Sequence, residues 1–328
     1  KLATGKEIFK KVIKEVDIFV ENNPPQMMKN LGLDYESLKK ENPQLIMTSI
    51  TPYGQTGPYR NYKGYCINAS ALGGMSTCIG EQDREPLTPP LSLGAYQSGA
   101  AGAVGTMFAI FAREVIGEGQ RVDISEADVW AMLHTGHVMS AYVMHGLKRV
   151  RWGHRTPGIY PYTILPCKDG YVSLIAIQGY QWKRFLELIG GGEIPEWYAE
   201  DPRFKDRREI SFKYADEMDK RLAPWLMEHI REEIYTLCQE KKIPFTPVRR
   251  MNEVLEDEHL KERGFFVEVT HPEAGKLKYP GAPFKLSETP WEVERPAPLL
   301  GEHNKEIYCG RLGYKPEELA ALSRGGVI

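Results

Sequence analysis

Residues Ser92 to Gly102 read SLGAYQSGAAG, and Tyr96 is the one ionisable side chain among them. Glycine, alanine and serine at this density let a backbone approach a ligand closely, so the stretch has the composition of an active-site mouth. The stretch carries no carboxylate, and Ala95 stands within it beside Tyr96. Other chemistry-bearing residues are less organised. His134, His137 and His145 fall on or near one predicted helix, but no acidic ligand joins them on the same face, so they read as packing or surface residues. Gly190 to Gly192 lack the Gly-Lys-Ser/Thr ending of a phosphate loop. Cys66, Cys78, Cys167, Cys238 and Cys309 are odd in number and form no Cys-x-x-Cys pair, the pattern of reduced thiols in a cytoplasmic protein.

The elements that must position these residues start with an amphipathic helix, KLATGKEIFKKVIKEV, carrying Ile8, Phe9, Val12 and Ile13 on one stripe. The apolar run Ile18 to Val20 then reads as a buried parallel strand, and PQLIMTSIT (43–51) as a second, with a helical DYESLKKEN between them. This rhythm predicts an α/β domain with right-handed crossovers. Ligands in such sheets sit at the carboxyl ends of the strands, which here are ENNPP and TPYGQTGPYR. Gly99 to Arg113 is expected to be a packed, small-residue core helix, followed by a turn, a strand and a helix reaching about Leu147. After the glycine-bounded RWGHRTPGIYP, two β-rich runs flank Lys168-Asp169-Gly170, a tight hairpin signal. Charged helices, short strands, the proline-rich PWEVERPAPLLGEHN and two short helices complete the chain. The expected domains are 1–150, the first part of a large domain; 151–275, a small α+β domain; and 276–328, a linker and helices returning to the large one.

Composition narrows the function. The 328 residues are 42% hydrophobic and 26% charged with a net charge of −2, leaving no basic surplus to condense on nucleic acid or a membrane surface. No apolar window of spanning length and no signal segment is read. Small-molecule or protein partners are the expectation.

Several segments in order, DIFVENN, LGLDYESLKKENPQLIMTSITPYGQTGPY, GEGQRVDIS, LPCKDGYVSL, IPFTPVRRMNEVLEDEHLKERGFFVEV, PGAPFKLSETP and LLGEHNKEI, together resemble the class III CoA-transferases. That family also contains formyl-CoA and carnitine CoA-transferases and the α-methylacyl-CoA racemases. The resemblance runs nearly end to end. It implies an α/β fold: a Rossmann-like large domain plus a small α+β domain, with two subunits threaded through each other as interlocked rings. It also implies that the N-terminal part of the large domain lies outside this sequence.

The family chemistry is acyl transfer between CoA thioesters and free carboxylates. An aspartate attacks the acyl-CoA carbonyl, forms a mixed anhydride and then takes CoA back as an enzyme thioester, while glycine amides hold the oxyanion. Aligned on PPLSLGAYQSGAAG, that aspartate falls on Ala95. Its neighbours are Gly94, Tyr96, Gln97 and Ser98, so a one-residue slip supplies no carboxylate; Asp83 and Glu85 lie upstream in an exposed-reading segment. The racemase histidine falls on Tyr65, followed by Cys66, whereas the racemase acid falls on Asp123, a position many transferases also keep acidic. By the same resemblance, Asn22 and Lys63 lie near CoA, and His154, Arg155 and Gly158 occupy a glycine-rich lid. An arginine that often precedes Leu-Gly is Asn30 here, and Tyr65, Tyr96, Met27 and Met28 would suit an apolar acid.

Three readings follow. The first is a subunit without a nucleophile that pairs with an aspartate-bearing paralogue, as in benzylsuccinate-type CoA-transferases acting with succinyl-CoA. The second is an active homodimer whose aspartate was replaced by alanine at 95. The third is a binding or scaffold protein on the same fold. CoA is expected as a substrate, with no covalent cofactor and no metal.

Overall fold

The computed structural model describes residues 2–328. The fold is mixed α/β, and the chain separates into two compact units: residues up to Gly153 with Gly301–Ile328, and His154–Leu300.

In the first unit, helix α1 (Ala3–Ile13) leads into strand β1 (Ile18–Glu21), helices α2 (Pro25–Leu31) and α3 (Tyr35–Leu38), and strand β2 (Ile46–Thr51). Pro25 opens α2 at a position that needs no N–H, and Gly32 closes it in the left-handed region at φ 67°. The sheet is parallel, in the order β1-β2-β3, with β3 at Arg121–Ser125; Val20 pairs with Thr48, which pairs with Val122. Beneath it Ile13, Leu38, Leu45 and Met47 form a buried cluster. The Asn42 amide donates to the carbonyls of Ile13 and Val16, fixing the end of α1 against the turn before β2.

Helix α4 (Cys66–Leu72) precedes the long α5 (Leu93–Ile116), and α6 (Glu126–Leu133) and α7 (Gly136–His145) follow β3. The small residues of α5 let it lie directly on the sheet: a Cβ on Gly102 would meet Ile50 Cδ1 at 2.9 Å, and one on Gly105 would meet Val122 Cγ1 at 2.8 Å. Four expectations change here. The small-residue helix begins at Leu93, so SLGAYQSGAAG is its first turns and not a loop feeding it. It is not a core helix throughout, because Met107, Phe108, Phe111 and Val115 are exposed. Its 24 residues are also apolar enough by length and composition alone to cross a membrane, which the sequence reading had excluded. The helix predicted to reach Leu147 breaks at Thr135, whose hydroxyl donates to the carbonyls of Gly73 and Ala131.

The second unit is built on the hairpin β4 (Tyr162–Cys167) and β5 (Gly170–Ile175), turning at Lys168-Asp169. Strand β6 (Thr246–Pro247) pairs with β5. Helices α8 (Gly179–Ile189), α9 (Ala215–Glu228) and α10 (Arg231–Glu240) bury Phe185, Leu222 and Ile234 against Val172 and Leu174 of the hairpin. A second hairpin, β7 (Phe266–His271) and β8 (Gly275–Pro280), follows. Residues 276–300 group with this unit, and the return to the first begins at Gly301.

Candidate active site

Parallel strands leave their carboxyl ends open to a ligand where the following loops diverge. After β1 the chain turns through Asn22 and Pro24, and after β2 through Thr51 and Tyr53. Between them lies a cavity of about 430 Å³, also lined by Arg60, Lys63 and Tyr65. Asn22, Lys63 and Tyr65, singled out in the sequence, thus share one cavity. Arg60 was not singled out; its signal was only the pair of cations in YRNYK. Tyr53, Tyr59 and Tyr62 form an aromatic row with ring centroids 6.3 and 5.1 Å apart. Gly64 is required because a Cβ there would lie 2.7 Å from Tyr53 Oη. Arg60 and Lys63 give the cavity two cations, and Tyr53, Tyr62 and Tyr65 give it aromatic walls.

Asp123 stands in the middle of β3 and accepts the Gln55 N–H at 2.9 and 3.1 Å through its two oxygens. Burial raises its carboxyl above the usual range, against the pull of that N–H. Its observed work is to pin the loop after β2.

The chain that leaves the cavity at Tyr65 enters α4 at Cys66, and there it meets the first turn of α5. Gly94 is buried, whereas Ala95 and Tyr96 are exposed. Gly94 packs on a side chain that the sequence reading did not single out: Glu126, at the start of α6, is only 7% exposed, and its Oε1 would lie 2.0 Å from a Cβ on Gly94. The thiol of Cys66 feels the charge of Glu126. Burial first, and Glu126 second, hold that thiol above its ordinary range. His134 Nε2 lies 2.6 Å from Gln97 Oε1, and the His134 ring packs on Trp130 with centroids 4.8 Å apart. That histidine ties α6 to α5.

His154, Arg155 and Gly158 belong to the second unit. There Arg155 donates to Asp219 and, at 2.7 Å, to Asp216; the Tyr160 hydroxyl donates to Asp219 at 2.7 Å. His154 Nε2 stands 3.9 Å from the same carboxylate. The Gly158 N–H donates to Ser211 Oγ at 3.1 Å.

The family model for CoA-transferase family III matches residues 1–304. The chain belongs to that family. The formyl-CoA:oxalate CoA-transferase of Streptomyces coelicolor is 32% identical to it over 99% of this chain and 81% of its own. The subunit BbsE of the Thauera aromatica succinyl-CoA:(R)-benzylsuccinate CoA-transferase is 30% identical over 99% and 79%. The crystal structure of a CAIB/BAIF family protein from Brucella suis superposes with a TM-score of 0.81 at 27% identity, covering 94% of this chain and 79% of the other. Family III transferases use CoA thioesters as substrates.

Proposed function

We propose that this chain is the non-nucleophilic subunit of a class III CoA-transferase that moves CoA between a dicarboxylic acyl-CoA such as succinyl-CoA and a carboxylic acid. The observation that carries the proposal is Ala95. It is exposed on the first turn of α5, at the place the family pattern gives to the attacking aspartate, with no other carboxylate among its neighbours in sequence. An aspartate-bearing paralogue supplies the nucleophile, and this chain contributes architecture and a CoA surface. That one relative is itself a subunit of a succinyl-CoA-dependent transferase supports this division of labour.

In this reading the CoA phosphates meet Lys63 and Arg60, Asn22 holds the nucleotide end, and Tyr65 and Tyr96 face the acyl portion. His154, Arg155 and Gly158 belong to the lid. The aspartate of the partner attacks the acyl carbonyl, the mixed anhydride conserves the activation of the thioester, and CoA returns through an enzyme thioester. The two chains interlock as rings in the cytoplasm. The exposed apolar residues of α5 and α7, Phe108, Phe111, Tyr142 and Val143 among them, support burial against a second chain.

Thermal denaturation with free CoA tests the CoA surface. At about 100 times its dissociation constant, CoA stabilises the chain by roughly 2.7 kcal/mol, and Lys63→Ala weakens binding about tenfold. No shift at millimolar CoA, with the chain folded, contradicts it and favours a scaffold on a retired enzyme fold.

A further inference from the structure

We infer that Glu126 is the resident anion of the start of α5 and the partner of the vacancy at Ala95: while its charge is in place, an aspartate at 95 would not serve as a nucleophile. The inference rests on the reading above, in which Ala95 stands where the family pattern gives the attacking acid.

Helix α6 turns Glu126 and Trp130, one helical turn apart, onto the first turn of α5. A Cβ on Gly94 would overlap Glu126 Oε1 and meet Trp130 Nε1 at 3.0 Å. Glu126 is 7% exposed and Trp130 1% exposed, yet Glu126 Oε1 and Trp130 Nε1 have no hydrogen-bond partner. Ser98, one turn further along the buried face of α5, also leaves its hydroxyl unpartnered. An open carboxylate oxygen away from water costs free energy unless its surroundings favour negative charge. The start of α5 supplies such surroundings. The helix runs for 24 residues and Ser92 gives it no side-chain cap, so the positive end of a long dipole faces whatever stands at its first turn.

Position 95 is the next residue along that turn. Its Cα is one trans peptide from Gly94 and so within about 7 Å of Glu126 Oε1. An aspartate there would bring a second negative charge to a helix start that already holds one. Like charges so placed disfavour each other's ionised form, and both would draw on the field of a single helix end. The added carboxylate would lose the ionisation and the electrostatic support that a nucleophile needs. Alanine adds no charge, and here it is exposed. The acid absent at 95 and the acid present at 126 are therefore two halves of one arrangement, and Glu126 acts on the reaction through position 95 as a positioning residue.

The test follows exchange of carbon-13-labelled succinate into succinyl-CoA, which needs no second acid: one thioester and one carboxylate become one thioester and one carboxylate. It compares the chain alone, Ala95→Asp, Glu126→Gln and the double variant with the chain co-expressed with an aspartate-bearing paralogue. We expect no exchange by the chain or by Glu126→Gln, and at least about 100-fold more from the double variant than from Ala95→Asp. Glu126→Met, a second neutral side chain of similar length, should give the same gain. Melting temperatures supply a readout free of substrate. An acid in the first turn of a helix ordinarily stabilises it; Ala95→Asp should instead lower the melting temperature of the chain and raise it in the Glu126→Gln background. The uncharged Ala95→Asn should show no such reversal. Equal exchange by Ala95→Asp and the double variant overturns the inference, as does a melting temperature that Ala95→Asp raises in both backgrounds. No exchange by the folded double variant, when the complex with the paralogue exchanges, overturns it and leaves the proposed function standing. No exchange by the complex, or full exchange by the unaltered chain alone, overturns both.

Discussion

Gly94 and Glu126 are fitted to each other: any Cβ at position 94 would lie 2.0 Å from the buried Oε1 of Glu126 and 3.0 Å from Trp130 Nε1. Gly94→Ala should therefore destabilise the chain by about 1–3 kcal/mol, as overpacking does. In an Glu126→Ala background, where the side chain that obstructs is gone, the added cost should nearly vanish. A double-mutant cycle in urea measures the coupling; additive effects would mean that the two residues do not meet.

Asp219 gathers the Tyr160 hydroxyl and the Arg155 guanidinium. Tyr160 is 2% exposed, and burial, then the Asp219 charge, pushes its phenol far above the usual range. Asp219→Ala leaves a buried hydroxyl and a partly buried cation unpaired and should cost about 3 kcal/mol. Asp216→Ala, at the exposed end of the same arginine, should cost less than about 1 kcal/mol. Equal losses in urea unfolding would contradict this ranking.

Glu253 accepts from both terminal nitrogens of Arg231, at 2.8 and 2.9 Å. That pairing, helped by the Arg250 N–H, holds its carboxyl down at about 2 against an ordinary value of 4.5. A carboxyl lowered on folding contributes stability that is fully present above pH 4.5 and disappears as pH falls toward 2. Glu253→Gln should accordingly reduce the slope of stability against pH in that window and leave it unchanged near neutrality. Equilibrium unfolding at a series of pH values checks the sign, and an unaltered acid slope would contradict it.

The thiols should divide by burial. Cys238 is pushed up to about 12 by burial alone, and Cys167 is buried beside it in the rank of accessibility, whereas Cys66, Cys78 and Cys309 are partly exposed. An aromatic disulfide reagent should label the last three in the native chain and reach the first two only in denaturant. Native-state labelling of Cys238 would mean that the core of the second unit opens readily.

The strands were legible because their apolar runs are short and bounded: Ile18 to Val20 and Ile46 to Ile50 could serve only as buried strands between helices, and Asp169-Gly170 marks its own turn. The start of α5 was not legible, since glycine, alanine and serine carry no hydrophobic period. Glu126 was hidden for another reason. It follows Ser125, whose hydroxyl accepts the Asp128 N–H, so Ser-Glu-Ala-Asp reads as an ordinary capped helix start with solvated acids. Its inward turn is fitted to Gly94, a residue far away in the chain that no local pattern connects. For the same reason Asn22, Lys63 and Tyr65 emerged from a family pattern and not from spacing, and Arg60 among them went unnoticed.

The measurement closest to the central claim is the rate of CoA transfer from succinyl-CoA to carboxylic acids, including oxalate and (R)-benzylsuccinate, by the chain alone, by Ala95→Asp, and by the chain co-expressed with an aspartate-bearing paralogue. Losing a nucleophile costs about 10⁴- to 10⁶-fold, so the chain alone should show no transfer above background, and co-expression should restore it. Transfer by the unaltered chain alone at the rate of the complex would contradict the account, and full activity from Ala95→Asp alone would replace it with an active homodimer.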